Sequence, residues 1–169
     1  PGTIVNNSTF NLNNYLTLDK GTKDGIYLGM GIVSSKGVVG KVKYVSQNYC
    51  IATSLINSKS SISSEVRSKD LLGSIQWSGK NYRYANLKYI PRHLNVEIGD
   101  TVVTSGFNAI YPHDIPIGII RKSRINKGES FHDIEVELFT DFNTVRHVFF
   151  IDDNDRDEIL ELEEKLKAE

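Results

Sequence analysis

One cysteine in 169 residues, Cys50, leaves no pair for an internal disulfide and no thiolate set for a metal. Its setting, Tyr49-Cys50-Ile51-Ala52, is apolar and strand-like, so Cys50 reads as a small buried hydrophobe. A reactive thiol needs a base or cation beside it, and none adjoins it in sequence. Charge of one sign is equally scarce. The formal net charge is −1 and Lys and Arg gather into no run, so the basic excess of a phosphate-tracking nucleic-acid binder is missing. No stretch reaches the roughly 18 apolar residues of a spanning helix, and no signal peptide opens the chain. Residue 1 is Pro1 rather than Met, and the expectation is a fragment whose anchor or address would lie before it.

Signatures of catalysis are also lacking. The nucleophile elbow, the Walker A loop and the dinucleotide glycines are absent, and Gly29-Met30-Gly31 has no third glycine in place. The four histidines, His93, His113, His132 and His147, have no metal-ligand spacing. His113-Asp114 and His132-Asp133 are adjacent, but neighbours on a strand face opposite ways. Glu135 and Glu137 share one outward strand face, which solvation explains. Paired small barrels do suit one class of serine protease, so a cryptic serine hydrolase stays open as an alternative. No serine here has the Gly-Asp-Ser-Gly-Gly setting of that class. No cofactor and no metal are expected.

What the chain has in quantity is short strands between turns, with Gly, Asn, Asp and Ser clusters recurring at the spacing of an all-β sandwich or barrel. Ile134-Glu135-Val136-Glu137-Leu138 alternates strictly and puts three aliphatics on one face. Val38–Val45 is another strand, and further ones are expected at 15–18, 51–55, 62–66, 71–77, 82–89, 101–104, 117–125 and 145–151. After Ile151 comes a helix. Asp152 and Asp153 offer its cap, and Asp155, Asp157 and Glu158 suit its positive end. Ile159, Leu162 and Leu166 form one narrow apolar stripe, with Glu161–Lys165 and Glu163–Lys167 spaced for pairing.

Two segments resemble each other. Gly29-Met30-Gly31-Ile32-Val33-Ser34 leads through Gly37 to Val39-Gly40-Lys41-Val42, and Gly99-Asp100-Thr101-Val102-Val103-Thr104 leads through Gly106 to Ile117-Gly118-Ile119-Ile120. Each is a Gly-led turn, a β-branched strand, a second turn and a strand with an early glycine. Glycine inside a strand marks a bulge or a close backbone approach. The expectation is two related β subdomains, at 21–77 and 78–151, preceded by N-terminal strands at 1–20 and followed by the helix at 152–169. Strands are allowed to cross between subdomains. Gly25, Gly29, Gly37, Gly40, Gly99, Gly106 and Gly118 are assigned to structural turns.

The insertion in the second hairpin stands apart. Phe107, Ile110, Tyr111, Pro112, Ile115 and Pro116 put large apolar groups and two prolines in a long loop, which suits a protein-contact surface; packing back onto the barrel is the alternative. Trp77 with Tyr82-Arg83-Tyr84 could form a ring platform for sugars, so a peptidoglycan-binding β module is a second alternative.

These residues resemble a known family. Lys23-Asp24-Gly25-Ile26-Tyr27-Leu28-Gly29-Met30, with Gly37-Val38-Val39-Gly40-Lys41-Val42, is similar to the first block of MreC, the bacterial rod-shape protein. Ile90-Pro91 through Val96-Glu97-Ile98-Gly99-Asp100-Thr101-Val102-Val103-Thr104-Ser105-Gly106 resembles the second block, and Pro112 through Ile115-Pro116-Ile117-Gly118 the third. The likeness runs in order over most of residues 3–151. It departs at Asn108-Ala109, where the family usually has Gly-Gly, and at Asp114, where it has Gly; Asn and Asp tolerate left-handed geometry. The resemblance implies the extracytoplasmic, periplasmic-side part of a protein anchored by an N-terminal membrane helix, self-associating through a coiled coil absent here. It also implies a non-enzymatic scaffold of cell elongation. The implied partners are the penicillin-binding transpeptidase, MreD and the MreB complex, with no nucleic acid.

Overall fold

A computed structural model describes residues 1–67, 69–107, 110–152 and 156–169, with the backbone alone at Arg156. Twelve strands and one helix follow in order. They are β1 (Gly2–Asn7), β2 (Tyr15–Leu18), β3 (Gly31–Val33), β4 (Val38–Val45), β5 (Cys50–Ser54), β6 (Ser61–Val66), β7 (Leu71–Gln76), β8 (Tyr84–Lys88), β9 (Thr101–Thr104), β10 (Pro116–Arg124), β11 (Asp133–Leu138), β12 (His147–Ile151) and α1 (Arg156–Lys167). The strands close into two antiparallel barrels, β1-β12-β3-β4-β5-β2 and β10-β11-β8-β7-β6-β9. Closure leaves neither barrel an unpaired edge. The expected all-β pair of barrels with a C-terminal helix is what the chain forms.

The two resembling hairpins occupy equivalent places. In β3–β4, Gly31 pairs Lys41, Ile32 pairs Gly40 and Val33 pairs Val38; in β9–β10, Thr101 pairs Ile119, Val102 pairs Gly118 and Val103 pairs Pro116. Each skips one residue of the second strand, Val39 or Ile117, at a bulge. The third strand repeats the match. Gly40 faces Ser54 and Gly118 faces Leu138, with a second bulge after Val42 and after Ile120. The entry turns match too: the Gly29 N–H donates to the Val42 carbonyl at 2.9 Å, and the Gly99 N–H to the Ile120 carbonyl at 2.8 Å. Both turn glycines have positive φ, 85° and 96°. A Cβ at Gly40 would overlap the Thr53 carbonyl, and one at Gly118 the Glu137 carbonyl.

The division of the chain differs from the expected break after Trp77. β6 and β7 belong to the second barrel, where β6 pairs β9 and β7 pairs β8. The residues before 21 are integral to the first barrel, and β12 returns to complete it between β1 and β3. The crossing lies at residues 55–60. There Asn57 donates to the Asn14 carbonyl at 2.9 Å, and Asn14 donates to the Ile56 carbonyl at 2.7 Å. Barrel closure is a long-range pairing, and no local pattern states which barrel a hairpin joins.

One hydrophobic core runs through both barrels, from Leu16, Leu18, Ile32 and Val42 to Ile75, Leu87, Ile120 and Val136. Phe142, on the return segment to β12, is fully buried. The helix is described from Arg156 on. Asp152 accepts from the Tyr27 hydroxyl at 3.2 Å, while Asp153 and Asp155 lie outside the described residues. Among the described residues neither Glu161–Lys165 nor Glu163–Lys167 closes an ion pair, and every α1 side chain from Asp157 on is exposed. No described helix is long and apolar enough to cross a membrane.

Candidate functional site: the cleft between the barrels

Where the two hairpins meet, the long loop of the second lies across the first. Thr104, at the end of β9, ties the loop shut. Its hydroxyl donates to the Pro112 carbonyl at 2.6 Å and accepts from the Ile115 N–H at 2.9 Å. Its backbone carbonyl accepts from Asp114 at 3.0 Å. Asp114 has φ 75°, the left-handed turn that aspartate tolerates. Gly106 also has positive φ, as does Gly25, and a Cβ at Gly37 would overlap the Pro116 carbonyl.

Tyr111 is the anchor of this arrangement. It is buried, and its hydroxyl donates to the carbonyl of Gly40 in the first barrel. Burial alone pushes the phenol well above its ordinary range, so it stays a protonated donor. A second tie runs nearby: Thr140 donates to the Val38 carbonyl at 3.1 Å and lies 3.4 Å from the Ser34 hydroxyl. Gly31 is required at this contact, since a Cβ there would meet the Ile110 carbonyl at 2.8 Å.

The six apolar loop residues therefore divide. Phe107 is 60% exposed and Pro112 is exposed; Ile110, Ile115 and Pro116 are half-buried, and Tyr111 faces inward. Asn108 and Ala109 lie outside the described residues. Around Phe107, Ile110 and Tyr111 opens a cleft of about 550 Å³ whose other walls are β4, the 55–60 crossing and the start of β6. Lys41, Lys43 and Lys59 line it with Tyr15, Asn57 and several serines, and among the described residues no Asp or Glu does. The Lys43 ammonium sits 5.2 Å from the Tyr15 ring centre and 5.5 Å from that of Tyr44. The cleft is thus apolar at its base and cationic at its rim. Neither property was read from the sequence, because the lysines come from separate segments and form no run.

Other candidates are not brought together. Trp77 is buried and its indole N–H donates to the Asn81 carbonyl at 2.8 Å, so it offers no stacking face. His113 pairs with Glu65, while its neighbour Asp114 pairs with Arg67 at 3.0 Å. His132 Nδ1 lies 3.3 Å from the Ser123 hydroxyl, but its Nε2 faces the Leu94 carbonyl at 2.6 Å rather than a carboxylate. The adjacent Asp133 turns toward Arg124 instead. Among the described residues no group of His, Cys, Asp and Glu could hold a metal ion. Cys50 is buried, and burial with the nearby Asp19 charge pushes its thiol up to about 11.

Comparison with known proteins agrees on one family. Residues 4–152 match the family model described as rod shape-determining protein MreC, barrel core. The cell shape-determining protein MreC of Listeria monocytogenes is 28% identical over 127 residues, 73% of this chain and 43% of its own length. That of Escherichia coli is 22% identical over 141 residues, 83% of this chain and 38% of its own. The chain thus spans about two fifths of these relatives. Among solved structures, MreC from Pseudomonas aeruginosa superposes with TM-score 0.82 at 21% identity, covering 89% of this chain and 97% of that one. A chain of the complex between Penicillin-Binding Protein (PBP2) and MreC from Helicobacter pylori superposes at 0.65 with 17% identity, covering 80% and 85%.

Proposed function

The chain belongs to the MreC family of rod shape-determining proteins, and from that premise we propose that it is a non-enzymatic scaffold of the cell-elongation machinery. In this reading it binds and regulates peptidoglycan synthases on the extracytoplasmic face of the membrane, through a parent chain anchored ahead of Pro1. Its first partner is the penicillin-binding transpeptidase of elongation, with MreD and the MreB complex beyond it, and self-association uses a coiled coil outside this sequence. The observation that supports this most is Phe107, a large ring left 60% exposed on a loop whose other end is pinned at Tyr111. An exposed aromatic on a preorganised loop loses little entropy on binding, which is what a contact residue needs. A scaffold acts by binding one state of its synthase more tightly than another.

The test is titration of the periplasmic region of a class B penicillin-binding protein with the chain, singly and as a tethered pair. Saturable binding is expected, weakened about tenfold by Phe107→Ala. No binding in either form would contradict the reading. Burial of Trp77 takes one ring from the platform of the peptidoglycan-module alternative and leaves Tyr82 and Tyr84 half-buried.

A further inference from the structure

Among the described residues the cleft between the barrels has no carboxylate, yet the chain carries a segment with the opposite character. Residues 152–169 hold nine acidic and three basic side chains, while residues 1–151 hold twelve acidic and seventeen basic. Within it α1 carries five acidic and three basic side chains, and its Ile159, Leu162 and Leu166 form an exposed apolar stripe with Leu166 at 71% exposure. On helical spacing Glu158 and Glu163 border that stripe on its two sides. A twelve-residue helix is marginal in water unless its apolar face is covered. The strand that leads to it, β12, ends close to the cleft. Ile151 pairs with Gly31, which packs on Ile110 and Tyr111, and Tyr27 holds Asp152.

We propose that the lysine-lined cleft between the barrels is a docking site for this chain's own C-terminal helix, which places its apolar stripe against Phe107 and Ile110 and its glutamates toward Lys41, Lys43 and Lys59. The helix is about 18 Å long. Tyr15 and Lys43 also line a second pocket on the first barrel, with Tyr44 and Ile51 and, among the described residues, no carboxylate. Among the described residues Lys41 and Lys59 have no ion-pair partner, and Lys43 has only its two rings. Only three residues separate Asp152 from α1 in the sequence, so docking is intramolecular, at a high effective concentration. The inference does not rest on the synthase reading.

The experiment uses the full chain with Cys50→Ala and Glu164→Cys, the latter carrying a nitroxide on the face opposite the stripe. At low ionic strength the tag is expected to cause loss of peak intensity at the amides of Lys41, Lys43, Ser61 and Gly106. The loss should vanish in about 0.5 M salt, where the Debye length falls to roughly 4 Å, and in the Lys41→Glu, Lys43→Glu, Lys59→Glu variant. Tagged unlabelled chain mixed with untagged labelled chain should cause none. Undiminished cleft amides in the low-salt sample would overturn the proposal. So would loss that survives the charge reversals, or loss that also appears in the mixed sample, which would assign the cleft to the helix of a second copy.

Discussion

The two barrels share one topology and differ in where the chain enters it. Taking β3, β4 and β5 with β9, β10 and β11, the neighbours β2 and β1 correspond to β8 and β7, and β12 to β6. The second barrel is contiguous, from Ser61 to Leu138. The first is the same circuit with one strand moved to the far end of the chain. The difference teaches that the local hairpin, with its bulges and embedded glycine, determines the barrel, while the order of the remaining strands is free to permute. It also has a thermodynamic side. Closing the first barrel brings together residues at opposite ends of the chain, so the ordering cost of its last strand is large.

The largest effect should come from ending the chain at Arg146. Loss of β12 leaves β1 and β3 with bare edges, so hydrogen exchange should show amides of β1–β5 losing more protection than those of β6–β11. Equal loss in both would break the claimed asymmetry. Next come Gly40→Ala and Gly118→Ala, each forcing a Cβ into a backbone carbonyl. Each should lower stability by about 3 kcal/mol, the upper end of overpacking costs, and by similar amounts if the positions are equivalent. Urea unfolding reads both, and a large disparity would deny the equivalence.

Tyr111→Phe is smaller. It removes one buried donor and leaves the Gly40 carbonyl unpaired, at about 1–3 kcal/mol. Smallest is a feature of the second barrel alone, the Lys69–Asp100 pair at 2.8 Å. Burial raises the Asp100 carboxyl, but the Lys69 ammonium and the Glu97 N–H outweigh it and hold it below its ordinary 3.8. A depressed carboxyl stabilises above its unfolded pKa and loses that contribution as pH falls through the folded one. Lys69, raised by its hydrogen bond to Asp100, loses its share only as pH climbs past its ordinary 10.5. The stability difference between the parent chain and Lys69→Met should therefore be flat around neutral pH and shrink below 3.8. A difference that grows in acid would assign the pair the wrong sign.

Much of this was legible in the residues. The alternation of Ile134, Val136 and Leu138 and the paired Gly-led hairpins announce strands and a repeat, because periodicity and turn chemistry are local. The permuted strand was not legible, since nothing in His147–Ile151 states that its partners are Gly2 and Val33 rather than β11. Tyr111 and Trp77 illustrate a second limit. A ring on a loop has the same sequence whether it faces solvent or carries its polar atom to a buried carbonyl, so the residues leave both readings open and the structure selects the inward one. The cationic cleft was hidden for a third reason, because Lys41, Lys43 and Lys59 converge only when the crossing at 55–60 folds against β4.

The central claim is that Tyr111, reaching from the second hairpin to Gly40 of the first, couples two topologically equivalent barrels into one cooperative unit. The chain carries a natural reporter in each: Cys50, its one cysteine, is buried in the first barrel, and Trp77, its one tryptophan, in the second. Urea unfolding followed by Cys50 labelling and by Trp77 fluorescence should give coincident transitions, which separate in Tyr111→Phe with the first barrel opening earlier. Separate transitions in the unsubstituted chain would contradict the coupling, as would coincident ones that persist in the variant.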